Sequence, residues 1–293
     1  MRDADSKIEE VLDAVVGGAT DRTCPPLLAR AVRYAVFPGG ARLRPKLCLA
    51  VAAAHGDDDP RLSAAAAAAI ELLHCASLVH DDLPCFDNAN ERRGKPSVHV
   101  AFGDQIAVLS GDALIVLAFE SLGQAASECL APARLSSLLS ITGRAVGMPF
   151  GISAGQAWEC EPTVDVSKYH RAKTGSLFVA ATCAGAAAAG GDAEPWTLLG
   201  ECIGEAYQVA DDIRDATSDA ETLGKPVGQD RTHGRPSAVQ ELGVSGAVNR
   251  LRGLIQEGVD SIPACPGGDL LKLLILEEAK RFLPKEMARR AAA

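Results

Sequence analysis

Residues 64–82 read AAAAAAIELLHCASLVHDD and are almost all apolar and helix-forming before they end in two adjacent aspartates. Alanine and leucine have high helix propensity. Upstream, Asp59 and Pro60 form an N-cap followed by a proline at the first helical position. The sequence therefore predicts a long apolar helix over about 60–82 whose C-terminal end carries a cluster of like charges.

The rest of the chain also favours helices. Hydrophobic residues make up 47% of the 293 residues and aromatic residues only 4%, and such an alanine-rich composition suits closely packed helices better than a sheet sandwich. No alternating strand, internal repeat or domain linker is recognisable, so we expect an all-α fold with one domain over 1–293. Helical spacing and end signals predict further helices near 5–17, 25–37, 45–56, 104–128, 132–147, 165–190, 194–217, 236–259 and 268–289.

The charge and the cysteine content of the chain indicate which ligands and which cellular compartment to expect. The net charge of −9 argues against general nucleic-acid binding. The nine cysteines form neither a CxxC pair nor a Cys/His cluster, which favours reduced thiols in a cytoplasmic protein. The N-terminus lacks the apolar core of a signal peptide. No uninterrupted apolar run reaches the about 18 residues of a membrane span, so we expect none.

Two aspartate clusters each follow an apolar helical stretch. They are Asp81, Asp82 and Asp87, spaced D-D-x4-D, and Asp211, Asp212 and Asp215, spaced D-D-x-x-D. Like charges on one helix face repel, and Mg²⁺ removes the repulsion because it binds a few carboxylates and completes its shell with water and phosphate oxygens. One such cluster is typical of a solvated helix end. Two clusters of this kind favour two metal-binding walls that hold one polyanion.

Basic residues gather near both clusters although the protein is acidic. They are Arg92 and Arg93 after the first cluster, Lys225 after the second, Lys173 in KTGSLF, and Arg42 and Arg44 beside a Gly-Gly turn. Arginine and lysine bind phosphate directly, and Mg²⁺ bridges carboxylate to phosphate. The pattern therefore indicates a diphosphate ligand.

At this point the sequence resembles the trans-isoprenyl diphosphate synthases. The resemblance rests on GGARLRP, LLHCASLVHDDLPCFDNANERRGKP, GQAWE, KTGSLF and YQVADDIRDATSDAETLGKPVGQD, which occur in order over nearly the whole chain. HCASLVHDDLPCFDNA and SAGQAWE are most similar to the bacterial geranylgeranyl diphosphate synthases of carotenoid and bacteriochlorophyll pathways. The resemblance implies an isoprenoid synthase-type helical bundle around a deep central cavity, assembled as a homodimer.

The resemblance also implies a metal site and catalytic residues. Mg²⁺, as three ions when a diphosphate is bound, is the implied cofactor. The implied Mg²⁺ ligands are Asp81, Asp82, Asp87, Asp211 and Asp215. The implied catalytic residues are Asp81, Asp82, Asp87, Lys173, Asp211 and Lys225.

The implied substrates are isopentenyl diphosphate and allylic diphosphates. Departure of the allylic diphosphate gives a carbocation, the isopentenyl double bond attacks it, and a proton is lost, so the reaction needs no side-chain nucleophile. The residues implied at the allylic diphosphate are Arg92, Lys173 and Lys225. Those implied at isopentenyl diphosphate are Arg44, His74 and Arg93, with Arg42 close by. Thr174 and Gln208 are implied at the reacting centre, and Asp212 is implied as a further substrate-binding residue.

The sequence departs from the family pattern at a few positions. Ala41 replaces the lysine of GGKRxRP and removes one cation for isopentenyl diphosphate. Arg235 stands where the family often has lysine, and Glu159 replaces an aspartate. The departure at Ala41 keeps open the alternative of a non-catalytic subunit that binds prenyl diphosphates, whereas the intact aspartate motifs favour an active enzyme.

Small residues below the first motif bear on product length. With a rise of about 1.5 Å per residue, Ser77 lies about 6 Å and Ala76 about 7.5 Å from Asp81 along the helix axis, toward the helix N-terminus. Leu73 lies on the next turn in the same direction. An aromatic residue at the Ser77 or Ala76 position often closes the cavity of farnesyl-producing relatives, so small residues predict a C20 product and Ala76→Tyr a shift toward C15. A C15 or longer product stays an alternative, as does a cavity floor near Met148–Phe150.

Overall fold

The structure is a computed structural model that describes residues 2–37, 39–128, 131–163, 166–217 and 237–282. It confirms the all-α expectation, since strands are almost absent from these ranges. The chain forms two compact units, one of residues 1–143 and 183–193 and the other of residues 144–182 and 194–293. A single domain over 1–293 stays a prediction.

The first unit consists of helices and one short hairpin. Its hairpin pairs β1 (Glu91–Arg92) with β2 (Lys95–Pro96) in antiparallel orientation. Parts of α7 (Leu135–Val146) and α10 (Ser176–Ala188) also belong to this unit. Its other helices are α1 (Arg2–Ala19), α2 (Pro26–Val36), α3 (Leu43–His55), α4 (Pro60–Asp81), α5 (Val98–Phe102) and α6 (Asp104–Glu128).

The second unit is also helical. It contains the remaining parts of α7 and α10, and a π-helical turn over Arg171–Gly175 leads directly into α10. Its other helices are α8 (Ile152–Trp158), α9 (Val166–His170), α11 (Thr197–Thr217), α12 (Ala238–Asp260) and α13 (Gly268–Ala279).

Helix α4 (Pro60–Asp81) confirms the long apolar helix predicted over about 60–82. The Asp59 carboxylate accepts a hydrogen bond from the Leu62 amide at 3.4 Å, which confirms the N-cap before Pro60. Every residue from Leu62 to Leu73 is buried, as expected for a helix that is apolar on all sides. The C-terminal end of α4 carries the first aspartate motif out of this core.

Three short elements were not predicted from the sequence. They are the β1–β2 hairpin, α5 and α8. Each strand of the hairpin has two residues and α5 has five, so none is long enough to show a hydrophobic period. The unpredicted hairpin nevertheless carries two of the expected phosphate-binding arginines.

Helices α4 and α6 are both long and apolar enough to cross a membrane, with a mean hydropathy of 1.7 over 18 residues. In α4, 83% of that window is buried inside the protein, as in the core helix of a globular unit. In α6 only 44% is buried, so the described residues leave a large part of its apolar surface uncovered. The expectation of no membrane span stays a prediction.

Candidate active site

The first aspartate motif lies where α4 ends and the chain folds back. Asp81 is the last residue of α4 and is half-buried, whereas Asp87 is exposed. The Asp87 amide donates to the Asp81 carbonyl at 3.0 Å, and the Ala89 amide donates to the Asp82 carbonyl at 3.2 Å. These bonds close the loop. The backbones of Asp81 and Asp87, the outer two aspartates of the motif, are therefore next to each other.

Asp82 faces the opposite way, into the unit. Its side chain is 3% exposed and forms a two-pronged ion pair with Arg92, in which Arg92 Nε donates to both carboxylate oxygens at 3.0 and 3.2 Å. Burial raises the pKa of the Asp82 carboxyl, and the bonds from Arg92 oppose that rise. Asp82 therefore fixes Arg92 by direct contact.

Arg92 and Arg93 belong to the hairpin. Arg93 and Gly94 form its two-residue turn, with φ of 55° and 72°. Positive φ at both central residues is the signature of a type I′ turn, which favours glycine at the second position. Arg93 is a non-glycine residue in the left-handed region, and its guanidinium covers Gly40, where a Cβ atom would lie 3.1 Å from Arg93 Cζ.

Arg42 is buried, although the resemblance places it near isopentenyl diphosphate. Its guanidinium donates to Glu71 at 2.6 Å, to Glu9 at 2.7 Å and to the Val36 carbonyl at 2.9 Å. The side chains of Arg42 and Glu71 are 3% and 2% exposed. Within this unit the guanidinium is thus engaged by protein groups, and a role through direct substrate contact stays a prediction.

His74 lies beside Arg44 and is surrounded by guanidinium groups. Arg44 Nη1 is 3.4 Å from His74 Nε2. Burial, and then the charges of Arg44, Arg93 and Arg92, lower the pKa of His74 well below its usual range. The imidazole is therefore neutral at pH 7, and a neutral ring nitrogen accepts a hydrogen bond from Arg44.

In the second unit the π-helical turn presents Lys173 and Thr174. The ammonium of Lys173 donates to Glu159 at 2.7 Å, and Gln156 Nε2 donates to the same carboxylate at 3.0 Å. The Tyr169 hydroxyl donates to Glu159 at 2.5 Å. Glu159, noted from the sequence only as a departure, is thus the centre of the network that orients Lys173.

In the second aspartate motif, as in the first, the middle aspartate is buried and the outer two are more exposed. Asp211 and Asp215 are half-buried and four residues apart on α11, and Asp211 pairs with Arg214. Asp212 is buried. It accepts from the amide of Ala238, the first residue of α12, at 2.7 Å, and from Gln208 at 3.1 Å.

The amide of Gln208 connects this motif to the π-helical turn. Its oxygen accepts from the Thr174 hydroxyl at 3.2 Å while its nitrogen donates to Asp212. In the second unit Thr174, Gln208 and Asp212 therefore form one hydrogen-bonded chain, and Lys173 directly precedes Thr174. Lys225 and Arg235 lie outside the described residues.

The residues predicted to set product length differ in exposure. Ala76 and Leu73 are buried at 1% exposure. Ser77 is half-buried, lies one turn before Asp81 on the same helix face, and donates its hydroxyl to the His74 carbonyl at 2.8 Å. A larger side chain thus has more room at Ser77 than at Ala76.

The donor chemistry of the two motifs fits Mg²⁺. In each motif the outer aspartates are half-buried or exposed, and they offer only oxygen atoms. Mg²⁺ prefers a few carboxylate oxygens and keeps several water or phosphate ligands. The inward aspartates, Asp82 and Asp212, are engaged by Arg92, Gln208 and a backbone amide, so they suit a supporting role.

Comparison with known proteins agrees with this geometry. The geranylgeranyl diphosphate synthase of Cereibacter sphaeroides is 54% identical over 286 residues, which cover 98% of this chain and 99% of the relative. The enzyme of the same name from Rhodobacter capsulatus is 51% identical over 279 residues, covering 95% of this chain and 96% of the relative.

Solved structures show the same fold. An FPP/GFPP synthase from Zymomonas mobilis superposes with a TM-score of 0.79 at 30% identity, covering 94% of this chain and 99% of its own. A Helicobacter pylori geranyltransferase, complexed with magnesium and isoprenyl diphosphate, has a TM-score of 0.76 at 30% identity. The match covers 96% of this chain and 97% of the geranyltransferase chain. Residues 25–260 match the polyprenyl synthetase family. The chain therefore belongs to the polyprenyl synthetase family.

Proposed function

We propose that this protein condenses isopentenyl diphosphate with allylic diphosphates, in the presence of Mg²⁺, to form mainly geranylgeranyl diphosphate. The observation that carries the proposal is the 54% identity, over nearly the full length of both chains, to a geranylgeranyl diphosphate synthase. The two aspartate motifs and the cations beside them give the chemistry a physical basis. The described geometry supports a proposed part for each group.

The outer aspartates, Asp81, Asp87, Asp211 and Asp215, are the proposed Mg²⁺ ligands. Bound Mg²⁺ supplies charge stabilisation for the departing diphosphate. Arg92 contacts the allylic diphosphate in a position set by Asp82, and Lys173 does so in a position set by Glu159. Lys225 contributes a further cation. We propose that three ions act with the diphosphate.

Isopentenyl diphosphate is assigned to the arginine-rich surface of the first unit. Arg44 and Arg93 offer guanidinium groups, which bind phosphate oxygens in a two-pronged manner. The neutral His74 adds a hydrogen-bond donor or acceptor without another positive charge. Since position 41 is alanine, these groups hold the substrate without the family lysine.

The chain's own residues act on the reaction by positioning and by electrostatics. No side chain forms a bond to substrate in this scheme. The allylic carbon–oxygen bond breaks, the isopentenyl double bond attacks the resulting cation, and the released diphosphate takes the proton. Thr174 and Gln208 line the reacting centre and help to position the substrates. The fixed charges of Arg92 and Lys173 stabilise the developing charge of the diphosphate, and preorganised groups of this kind supply the largest share of many rate enhancements.

The test is product analysis of the purified protein with Mg²⁺, isopentenyl diphosphate and a C5, C10 or C15 allylic starter. We expect a C20 alcohol to dominate after dephosphorylation, measured by mass-detected chromatography. A C15 or longer dominant product contradicts the assigned length and retains prenyl transfer. Absence of product from folded protein with every starter overturns the proposal and favours a non-catalytic subunit.

We also propose that the protein is a cytoplasmic homodimer joined through α6. Val108, Leu109 and Val116 of this helix are 41%, 50% and 54% exposed, and a bare apolar face of this kind marks an interaction surface. The described cysteines are free thiols, and burial raises the pKa of Cys75 to about 12. Inert thiols of this kind suit a reducing compartment.

Replacing Val116 with lysine is expected to weaken the dimer at least tenfold, because each buried lysine charge opposes apolar association. Light scattering after size exclusion, over a range of concentrations, measures the change. Leu270→Lys is the matched control, since Leu270 is 63% exposed on α13. Dissociation by the control alone, or by neither variant, contradicts an α6 interface.

A further inference from the structure

The C-terminal end of α2 is bound by two cations from different parts of the first unit. The last carbonyls of a helix have no partner within the helix. Arg42 donates to the Val36 carbonyl at 2.9 Å. Lys95 donates to the carbonyls of Tyr34 at 2.6 Å and of Phe37 at 2.9 Å. The negative end of the helix dipole favours both cations.

Arg42 connects this helix end to the start of α3, which contains Arg44. Arg42 has a left-handed backbone with φ of 51° and directly precedes α3. Its side chain returns toward Gly39, where a Cβ atom would lie 2.0 Å from Arg42 Cζ. Any side chain at Gly39 would displace the guanidinium. The buried pairs with Glu9 and Glu71 hold Arg42 in place.

Lys95 connects the same helix end to the hairpin that contains Arg93. The Lys95 ammonium lies 3.8 Å from the centre of the Tyr34 ring, so it also makes a cation–π contact. The Tyr34 hydroxyl donates to the Pro96 carbonyl at 2.7 Å. Lys95 pairs across the hairpin with Arg92. Strand β2 is therefore fixed to α2 at adjacent residues.

We infer that the end of α2 is the scaffold that sets the position of Arg93 relative to Arg44, with Lys95 and Arg42 as positioning residues for isopentenyl diphosphate. The two glycines of the GGARLRP loop serve this arrangement, since Gly39 makes room for Arg42 and Gly40 makes room for Arg93. The inference deepens the proposed function and rests on its assignment of isopentenyl diphosphate to Arg44 and Arg93.

The alanine at position 41 makes this positioning more important. Without the family lysine, more of the phosphate binding falls to Arg44 and Arg93. A charge-assisted hydrogen bond depends on geometry, and two-pronged guanidinium contacts are lost when the group turns. A small displacement of the hairpin turn therefore weakens binding of isopentenyl diphosphate more than binding of the allylic substrate. The allylic substrate relies on Mg²⁺, on Lys173 and on Arg92, whose guanidinium is held separately by the buried Asp82.

The experiment compares Lys95→Met with Lys95→Arg. Lys95→Met removes the cation and is expected to raise the KM for isopentenyl diphosphate about tenfold, the effect of one weakened charge-assisted bond. The kcat and the KM for the allylic substrate should change less than about threefold. Lys95→Arg keeps donors for the two carbonyls and should recover most of the loss.

Arg33→Met is the matched control. Arg33 also lies in the last turn of α2, but it pairs with the exposed Asp13. We expect its kinetic constants to equal those of the unchanged protein. A fall in melting temperature for Lys95→Met with both KM values unchanged, or an equal rise in both, would overturn the inference.

Calorimetric binding of isopentenyl diphosphate separates this inference from the proposed function. If the unchanged protein forms no prenyl product, the proposed function is contradicted, whatever effect the substitutions at Lys95 have. In that case a weaker Kd for isopentenyl diphosphate in Lys95→Met, restored in Lys95→Arg, still supports the scaffold. Equal Kd values in all three proteins overturn the scaffold even where the unchanged protein is active.

Discussion

Asp81→Asn is expected to lower kcat by about 10²–10³-fold, the loss typical when one preorganised charge-stabilising group is removed. Asp81 lies at the end of α4 and is half-buried, and it is one of the proposed Mg²⁺ ligands. Asparagine keeps the shape and removes the charge that Mg²⁺ requires. Steady-state kinetics over a range of Mg²⁺ concentrations measure the loss, and the Mg²⁺ needed for half-maximal rate should rise.

Asp82→Asn provides the comparison within the same motif. Its carboxylate holds Arg92, so the main effect should be a higher KM for the allylic diphosphate, with a smaller change in Mg²⁺ requirement. Asp260→Asn serves as the distant control, since Asp260 accepts from Gln256 on the exposed surface of α12. Identical Mg²⁺ dependence for Asp81→Asn and the unchanged protein would contradict a ligand role for Asp81.

The second large effect is a change of product. Ser77→Phe is expected to shift the dominant product from C20 to C15, because a phenylalanine on the helix face of Asp81 obstructs a growing chain about 6 Å below the aspartate. Ser77 is half-buried, so the ring has room without rearrangement of the core. Mass-detected chromatography of dephosphorylated products measures the ratio of C20 to C15.

Ala76→Tyr tests the neighbouring position. Ala76 is 1% exposed, and overpacking a core position costs about 1–3 kcal/mol, so this variant should also show a lower melting temperature. Its product is still expected to shorten if the ring turns toward Ser77. A C20 product from both folded variants would locate the cavity floor elsewhere, as in the alternative near Met148–Phe150.

Long helices were predictable because their signals are local. Asp59, Pro60 and the following apolar run give the start, type and burial of α4 with no knowledge of the rest of the chain. The hairpin at Arg92–Lys95 has no such signal. It is held by contacts of Lys95 to α2, about sixty residues earlier in the chain, and such distant contacts leave no local pattern.

The sequence could nominate residues for the candidate site, but it could not predict the direction of each side chain. The spacing of the aspartates does not show that Asp82 and Asp212 face inward while their neighbours face outward. That division depends on Arg92 and on the amide of Ala238, which tertiary structure brings to them. Likewise, the burial of Arg42 follows from Glu71 on α4, a residue with no distinctive sequence context.

The π-helical turn at Arg171–Gly175 has a consequence for protein engineering. Such a turn accommodates one residue more than an ordinary helical turn. Removing a residue there would restore regular α-helical winding, in which successive residues turn by about 100°. The flanking helical residues would keep their register, whereas the side chains within the turn would change direction. Lys173 reaches Glu159 just after α8, and the adjacent Thr174 reaches Gln208 on α11. One of these two contacts would then be lost. The length of this segment is therefore fixed, even where its side chains tolerate exchange.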